Sequence, residues 1–362
     1  MRLRTVTGVV ELRVWHGLDP ATRRWDCPLR QLWKLSAHQQ LSPTLQERLA
    51  FTAIATGTYE QAAAVAAKWG SPISAAAVHA LVQRVGTRAE AQTRQRLASV
   101  PVEAEPSRTA SPLTVLLLDG WQVRQRGPGW GCQKTKKPRV EWHELKTGVV
   151  YRHEQAATTA KGRGLLLQKR VVSWQGEPVE LGRRLHWEAL RHGLGRSRQV
   201  LVLADGAPWI WNVAADRWPG ATELLDFYHA SQHLWELGRA LHGGDETRAA
   251  AWVERRRHRL RHGGERALLR EMGALRVRRA EAGEVVRRER EYFAGHARRL
   301  NYAAMARRGW PIGSGAVESV CRQRQCRFKR PGQFWTPHGL RHLLAVVEAQ
   351  TNDHWDELWQ LN

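Results

Sequence analysis

The sequence predicts an α/β protein whose mixed sheet is interrupted by an all-helical insertion and preceded by a helical N-terminal region. Three observations predict it. Two apolar runs, LTVLLLDGW (113–121) and QVLVLADGAPWIW (199–211), are strands only if buried, and each delivers an aspartate, Asp119 and Asp205, at or near its end. Residues 231–309 form a charge-laced tract with helical pattern and no strand signal. After it, WPIGSGAVESVCRQR (310–324) opens with Pro311, Gly313 and Gly315 and then loses its breakers, so Glu318 falls where a loop turns into a helix.

Taken in order, residues 1–40 mix the short alternating run VVELRVW with Trp-, Pro- and Arg-rich turns and support no assignment. From Ser42, three consecutive segments to about residue 97 read as helices. Gly57 and Gly70 end the first two, and Ser74 caps the third. The tight Gly-Ser-Pro turn before the third is helix-turn-helix-like. If these helices read DNA, His79, Gln83, Arg84 and Arg88 are the polar candidates; a plain Ala-rich packing unit is the other reading. Residues 101–112 hold three prolines and read as a linker.

Next come the Asp119 strand, a Gly-, Lys- and Arg-rich loop, the strand-like runs VEWHELKTGVVYRH and LLLQKRVVSWQG, the helical ELGRRLHWEALRHGL and the Asp205 strand. Three strands, a helix and a fourth strand, with acids on the first and fourth, is the element order of an RNase H-like core. ATELLDFYH continues as a fifth strand or a strand passing into a helix and carries Asp226 and His229. The expected division is an N-terminal region 1–105 with its helices at 42–97, a first core part 106–230, a helical insertion 231–309 and C-terminal helices 310–362 that complete the core.

Charge narrows the class of partner. The 362 residues hold 57 Lys plus Arg against 34 Asp plus Glu, a net +23, which attracts polyanions, nucleic acid first among them. Arginine outnumbers lysine 48 to 9; it suits bidentate phosphate contacts, although GC-rich coding bias yields the same ratio. Within 245–299 there are 16 Arg and 9 acids, a surplus of +7 on a helical surface that is either solvated or in contact with DNA. No apolar run approaches the roughly 18 residues of a membrane span, and Glu11 and Arg13 interrupt the N-terminus before any signal-peptide core. Four cysteines without a Cys-x-x-Cys pair point to a reducing cytoplasm.

Three carboxylates on two strands and a helix suit phosphodiester chemistry, in which two ions about 3.5–4 Å apart activate the attacking oxygen and stabilise the leaving one. Hard oxygen ligands select Mg²⁺ or Mn²⁺. Asp119-Gly120 and Asp205-Gly206 also read as simple Asp-Gly turns, a reading that weakens when both pairs, Glu318 and the net charge are taken together.

The runs LADGAPWIWNVAADRWPGATELLDFYHASQHLW (203–235) and RRGWPIGSGAVESVCRQRQCRFKRPGQFW (307–335) resemble the two signature blocks of bacterial DDE insertion-sequence transposases of the Kra-type group and its relatives; together they cover about 60 residues, in the expected order. LLLDGW fits the first block more loosely. The resemblance implies an RNase H-like core split by a helical insertion before the final Glu. It also implies Asp119, Asp205 and Glu318 as catalytic acids and ligands of two Mg²⁺ or Mn²⁺ ions. Asp226 and His229 match an Asp-x-x-His motif that supports the active site, with a buried structural His as the equal alternative. Partners implied are the terminal inverted repeats of a mobile element and target DNA, met by a homodimer in a synaptic complex at the nucleoid.

Candidate DNA contacts are Arg84, Arg88, Trp209, Trp310, Arg322, Arg327, Lys329 and Arg330. Trp209, Trp211, Trp310 and Trp335 flank the acid motifs and either wall the core or stack on an unpaired base. The last block departs from the family in its two cysteines. Cys321, Cys326, His338 and His342 spell C-x4-C-x11-H-x3-H, near zinc-finger spacing; two Cys on the Glu318 helix and two His on the next is the favoured reading. The rival functions are a non-catalytic DNA-binding protein on the same scaffold and a resolvase-type nuclease, which needs similar acids but no long basic insertion.

Overall fold

The computed structural model describes residues 1–33, 40–99, 112–132, 134, 136–162, 164–277 and 280–360; the linker expected over 101–112 lies outside them apart from its last residue. The chain forms two compact units, one of residues 1–100, 122–144 and 322–362, the other of 101–121 and 145–321.

The first unit opens with an antiparallel hairpin, β1 (Arg2–Thr5) and β2 (Gly8–Glu11), then the short pair β3 (Gly17–Leu18) and β4 (Trp25–Asp26) and helix α1 (Pro28–Leu32), in the region the sequence left unassigned. Three helices follow: α2 (Pro43–Ala55), α3 (Tyr59–Lys68) and α4 (Ala75–Ala98). Each starts on a hydroxyl that accepts a backbone N–H three residues on: Ser42 from Leu45, Thr58 from Gln61 and Ser74 from Ala77. Each such cap is worth about 1 kcal/mol.

In the second unit the chain enters a five-stranded mixed sheet. Its strands are β5 (Leu113–Arg126) and β6 (Val140–Arg152), which also supply residues to the first unit, then β9 (Arg170–Trp174), β10 (Gln199–Ala204) and β11 (Thr222–Leu225), in the order β11-β10-β5-β6-β9. β10 runs parallel to both β5 and β11, and β6 and β9 are antiparallel. Only RVVSW of the second strand-like run joins this sheet. Leu165 and Leu166 from its start lie instead in a side hairpin, β7 (Ala156–Thr158) with β8 (Gly164–Leu166). Near-continuous burial from Leu113 to Leu118 and from Leu201 to Ala204 explains why these runs lack alternation: both faces are covered. Helices α5 (Pro178–Arg191) and α6 (Pro208–Arg217) pack together, and α5 also packs on β9. On β6, a Cβ at Gly148 would stand 2.4 Å from Leu185 of α5.

Beyond the sheet the expected helical tract comprises, among the described residues, the helices α7 (Phe227–Leu241), α8 (Glu246–Arg261), α9 (Glu265–Ala274), α10 (Ala280–Gly295) and α11 (Tyr302–Arg307). Glycines with positive φ interrupt it at 243, 244 and 263. Helix α12 (Gly315–Phe328) carries Glu318 in its first turn. The chain then returns to the first unit with α13 (Pro337–Thr351) and α14 (Trp355–Trp359). There Leu45, Leu49, Leu81 and Val85 of α2 and α4 share one core with Val346, Ala349 and Leu358; each fully buried leucine contributes about 2 kcal/mol. α4 approaches α13 so closely at Gly86 that a Cβ there would lie 2.6 Å from the backbone of His342.

Candidate functional site

The register of the parallel strands brings acids to one end of the sheet. Ala204 on β10 lies opposite Leu118 of β5 on one side and Leu225 of β11 on the other. The next residues are Asp119, Asp205 and Asp226, so three carboxylates follow the same rung of three neighbouring strands, which are spaced about 4.8 Å apart. β10 and β11 end there. β5 does not: Asp119 sits in mid-strand, which corrects its expected place at a strand end and removes the Asp-Gly turn at 119–120. The strand runs on beside its sheet neighbour β6 to a hairpin end where Gly127 N–H donates to the Arg139 carbonyl at 2.9 Å, and there Arg126 N–H also donates to the Trp335 carbonyl at 2.9 Å. Asp205-Gly206 is a true strand-end turn, with Gly206 at φ +107° and the Asp205 carboxylate accepting the Ala207 N–H at 3.1 Å.

Burial raises the Asp119 carboxyl above its usual range; the Cys321 thiol hydrogen bond lowers it, the charge of Asp205 raises it, the Gly120 N–H lowers it and the charge of Glu318 raises it again. Asp205 and Glu318 are therefore each near enough to act on the Asp119 carboxyl. Cys321 lies three residues beyond Glu318 on α12, so its thiol ties the Glu318 helix to the Asp119 strand. Glu318 is exposed at the N-terminal turn of α12, where the helix dipole favours an anion, and its Oε1 accepts the Ser314 hydroxyl at 2.8 Å.

Asp226 is buried at 1% exposure, and each of its carboxylate oxygens accepts a backbone N–H. One oxygen caps α7 by accepting the His229 N–H at 2.5 Å; the other accepts the Ser314 N–H. Phe227 N–H donates to the Ile312 carbonyl beside it at 3.0 Å. Asp226 thus fixes the segment that presents Ser314, and through Ser314 it orients Glu318. The His229 ring meets His233, Nε2 to Nε2, at 3.3 Å.

A second set of contacts, absent from the sequence reading, reaches the acids from α10. The Tyr292 hydroxyl donates to the Asp205 carbonyl at 2.9 Å, and burial followed by the charges of Asp205, Glu289 and Asp226 pushes its pKa up, so it stays a protonated donor. Its ring stacks on His233 at 3.6 Å between centroids. The Nδ1–H of His233 in turn donates to the fully buried Glu289 at 2.5 Å. Burial raises Glu289, but hydrogen bonds from His233 and Arg288 outweigh it and hold the carboxyl below its usual range. Gly206 makes this approach feasible, since a Cβ would stand 3.0 Å from His296 Nε2, Leu225 and the Tyr292 hydroxyl. The signal in the sequence was the spacing of Glu289, Tyr292 and His296, one helical face at i, i+3 and i+7.

The remaining candidates separate by burial. Arg84 and Arg322 are exposed, Arg88 is half-buried over the Trp359 ring, and Lys329 and Arg330 are half-buried. Arg327 is buried between the Tyr59 and Trp335 rings with Nε donating to the Ala53 carbonyl, which removes it from an outward role. Trp211, Trp310 and Trp335 are core residues at 6–9% exposure; Trp209 is half-buried with Lys146 over its ring. Of the helix-turn-helix candidates, His79 is exposed with its ring edge-on to Tyr59, and the Gln83 amide oxygen accepts the Nδ1–H of His342 at 2.8 Å. Cys321 and Cys326 share α12, and His338 and His342 share α13. All four cysteines are free thiols.

The donor chemistry at the acid end fits a hard cation: three carboxylates, one of them with its pKa raised by burial and by the charges of the other two, gain when a divalent charge arrives. Among the described residues, however, no three His, Cys, Asp or Glu side chains already enclose a single ion. Among them, too, no helix is long and apolar enough to cross a membrane.

No known family model matches the chain, and no curated protein does. Among solved structures it is similar to the Drosophila P element transposase strand transfer complex, at 10% identity over 87% of this chain and 79% of that one, with a TM-score of 0.27. A likeness that distant assigns neither fold nor activity.

Proposed function

We propose that the chain is a DDE-type DNA transposase built on an RNase H-like core, with Asp119, Asp205 and Glu318 as its catalytic acids. The observation that carries this reading is the rung that follows Leu118 and Ala204 in register, together with the effect of Asp205 and Glu318 on the Asp119 carboxyl. In this reading residues 1–105 are the end-binding region, 106–230 and 310–362 the two core parts and 231–309 the insertion between them, and the working form is a dimer pairing two element ends in the cytoplasm.

Asp119, Asp205 and Glu318 would hold two Mg²⁺ or Mn²⁺ ions, which when bound activate the attacking oxygen and stabilise the leaving one. The protein's own groups set the geometry. Tyr292 fixes the main chain at Asp205, Asp226 and Ser314 aim Glu318, and the Cys321 thiol holds Asp119. Hydrolysis of one phosphodiester at each element end frees a 3′ hydroxyl, which attacks target DNA in line. Surplus arginines neutralise the phosphates, so affinity should fall about a thousandfold or more between 50 and 200 mM salt for six or more contacts.

The test incubates the protein with DNA carrying its own element ends and Mn²⁺, beside Asp205→Asn. Joined products from the parent and none from the variant are expected. Cleavage that survives unchanged in Asp205→Asn overturns the assignment. Binding without cleavage in both indicates a non-catalytic DNA-binding protein, and nicking without joining indicates a resolvase-type nuclease.

A further inference from the structure

In the first unit, the end of β5, the start of β6 and the segment after α12 build an exposed strip of alternating rings and cations. The strand period of two turns Val123 and Gln125 inward and Arg124 and Arg126 outward. Trp335 pairs with this stretch through a single parallel bridge to Gln125: its N–H donates to the Arg124 carbonyl at 3.1 Å, and its buried indole donates to the Phe328 carbonyl at 2.7 Å. Trp335 is buried, and its neighbour Phe334 is half-buried.

The contacts then run continuously across the surface. Lys329 stands 5.1 Å from the Trp142 ring, Arg124 lies 5.9 Å from Trp142 and 5.1 Å from Phe334, Phe334 packs 4.9 Å from Trp130, and Arg126 lies 5.2 Å from Trp130. Trp142 is 56% exposed and Trp130 40%, whereas the tryptophans at 211, 310 and 335 are buried. The surrounding sequence is one-signed. Residues 122–144 carry six Lys or Arg against two Glu, and residues 322–336 carry five and no acid.

Two exposed indoles in one strip call for an occupant, and the charge selects it. A second copy would bring cation against cation. A duplex offers phosphates but covers its base faces, so the indoles would gain nothing from it. An unpaired strand supplies both partners, phosphates for the cations and base faces for the rings, each stacked base being worth about 1–3 kcal/mol.

We propose that the strip Lys329–Trp142–Arg124–Phe334–Trp130–Arg126 binds an unpaired nucleic acid strand. This deepens the transposase reading, on which it rests for the identity of the polyanion, by naming the form of DNA and the surface that takes it.

The test measures anisotropy of a fluorescent 20-nucleotide oligo-dT and of a duplex of equal length with the full-length protein at fixed salt. Trp142→Ala, truncating an exposed side chain, should weaken oligo-dT binding about tenfold and duplex binding less than twofold, with an unchanged unfolding temperature. Lys329→Gln should weaken oligo-dT binding severalfold and lower its salt slope. Oligo-dT affinity unchanged in both variants, or equal loss for strand and duplex, overturns the proposal. Asp205→Asn separates the two readings. If it and the parent both fail to cleave yet bind oligo-dT through Trp142, the strip stands and the transposase reading falls; if the parent joins DNA while Trp142→Ala binds oligo-dT normally, the strip falls alone.

Discussion

Tyr292 and Asp205 lie 87 residues apart and are joined by one hydrogen bond, the phenol hydroxyl donating at 2.9 Å to the main-chain carbonyl of the acid. The helical insertion therefore does more than add basic surface: it grips the backbone from which the Asp205 side chain projects. Tyr292→Phe removes one hydroxyl and keeps the stack on His233. It should weaken Mn²⁺ binding, read by electron paramagnetic resonance of the protein without DNA, by about tenfold, the effect usual for groups that orient a metal ligand. Asp205→Asn should weaken it further. Equal affinity in the parent and Tyr292→Phe would show that the bond leaves the acid's position unchanged.

Asp226 predicts a larger effect on stability than on binding. Its buried carboxylate accepts two backbone N–H groups, from His229 and Ser314, and an amide can present only one acceptor oxygen to them. Asp226→Asn should cost about 2–3 kcal/mol in denaturant unfolding and should lower cleavage as Glu318 loses its aim, with DNA affinity retained. Unfolding at the parent's midpoint would contradict the role given to the carboxylate.

His296 sets a pH dependence. Burial first, then the charges of Arg299, His233 and His229, depress its pKa from 6.5 to about 4. The folded protein thus prefers the neutral ring. Its contribution is complete above pH 6.5, where the unfolded chain is also neutral, and is lost as pH falls from 6.5 towards about 4. His296→Gln should flatten the decline in unfolding temperature across that window and leave stability above pH 7 little changed. An identical acid limb in the variant would rule out this histidine as a source of the decline.

Gly206→Ala combines two penalties, a φ of +107° that side chains rarely adopt and three atoms at 3.0 Å from the added methyl. A loss of about 2 kcal/mol or more is expected, visible as an unfolding temperature lower by several degrees. A neutral substitution would mean that the turn relaxes without cost.

The sheet was legible because burial on both faces leaves its mark as unbroken apolar runs, and Leu113–Leu118 and Val200–Ala204 carry that mark. The helices of 42–97 were legible from their caps, Ser74 being the plainest. Residues 2–32 were not, since pairs of two to four residues leave too little pattern to read. Asp119 was misread as ending its strand because a sequence shows an Asp-Gly pair but not that β5 runs on beyond it beside β6, with Trp335 bridged to its far end. The tryptophans flanking the acids were candidates for base stacking by proximity along the chain. Burial removes Trp211, Trp310 and Trp335 and leaves Trp130 and Trp142 exposed, a distinction composition does not contain.

By itself the sequence determined the mixed α/β class, the excess of positive charge and the three acids worth comparing, because hydrophobic runs, ionised side chains and helix caps are local properties of the chain. Only the tertiary structure decided that Asp119, Asp205 and Asp226 follow one rung, that Asp226 is occupied by backbone N–H groups while Asp119 feels its charged neighbours, and that Tyr292 reaches Asp205 from a distant helix. Strand register and helix docking are set by packing between segments far apart in sequence, and no local pattern encodes which residues that packing brings face to face.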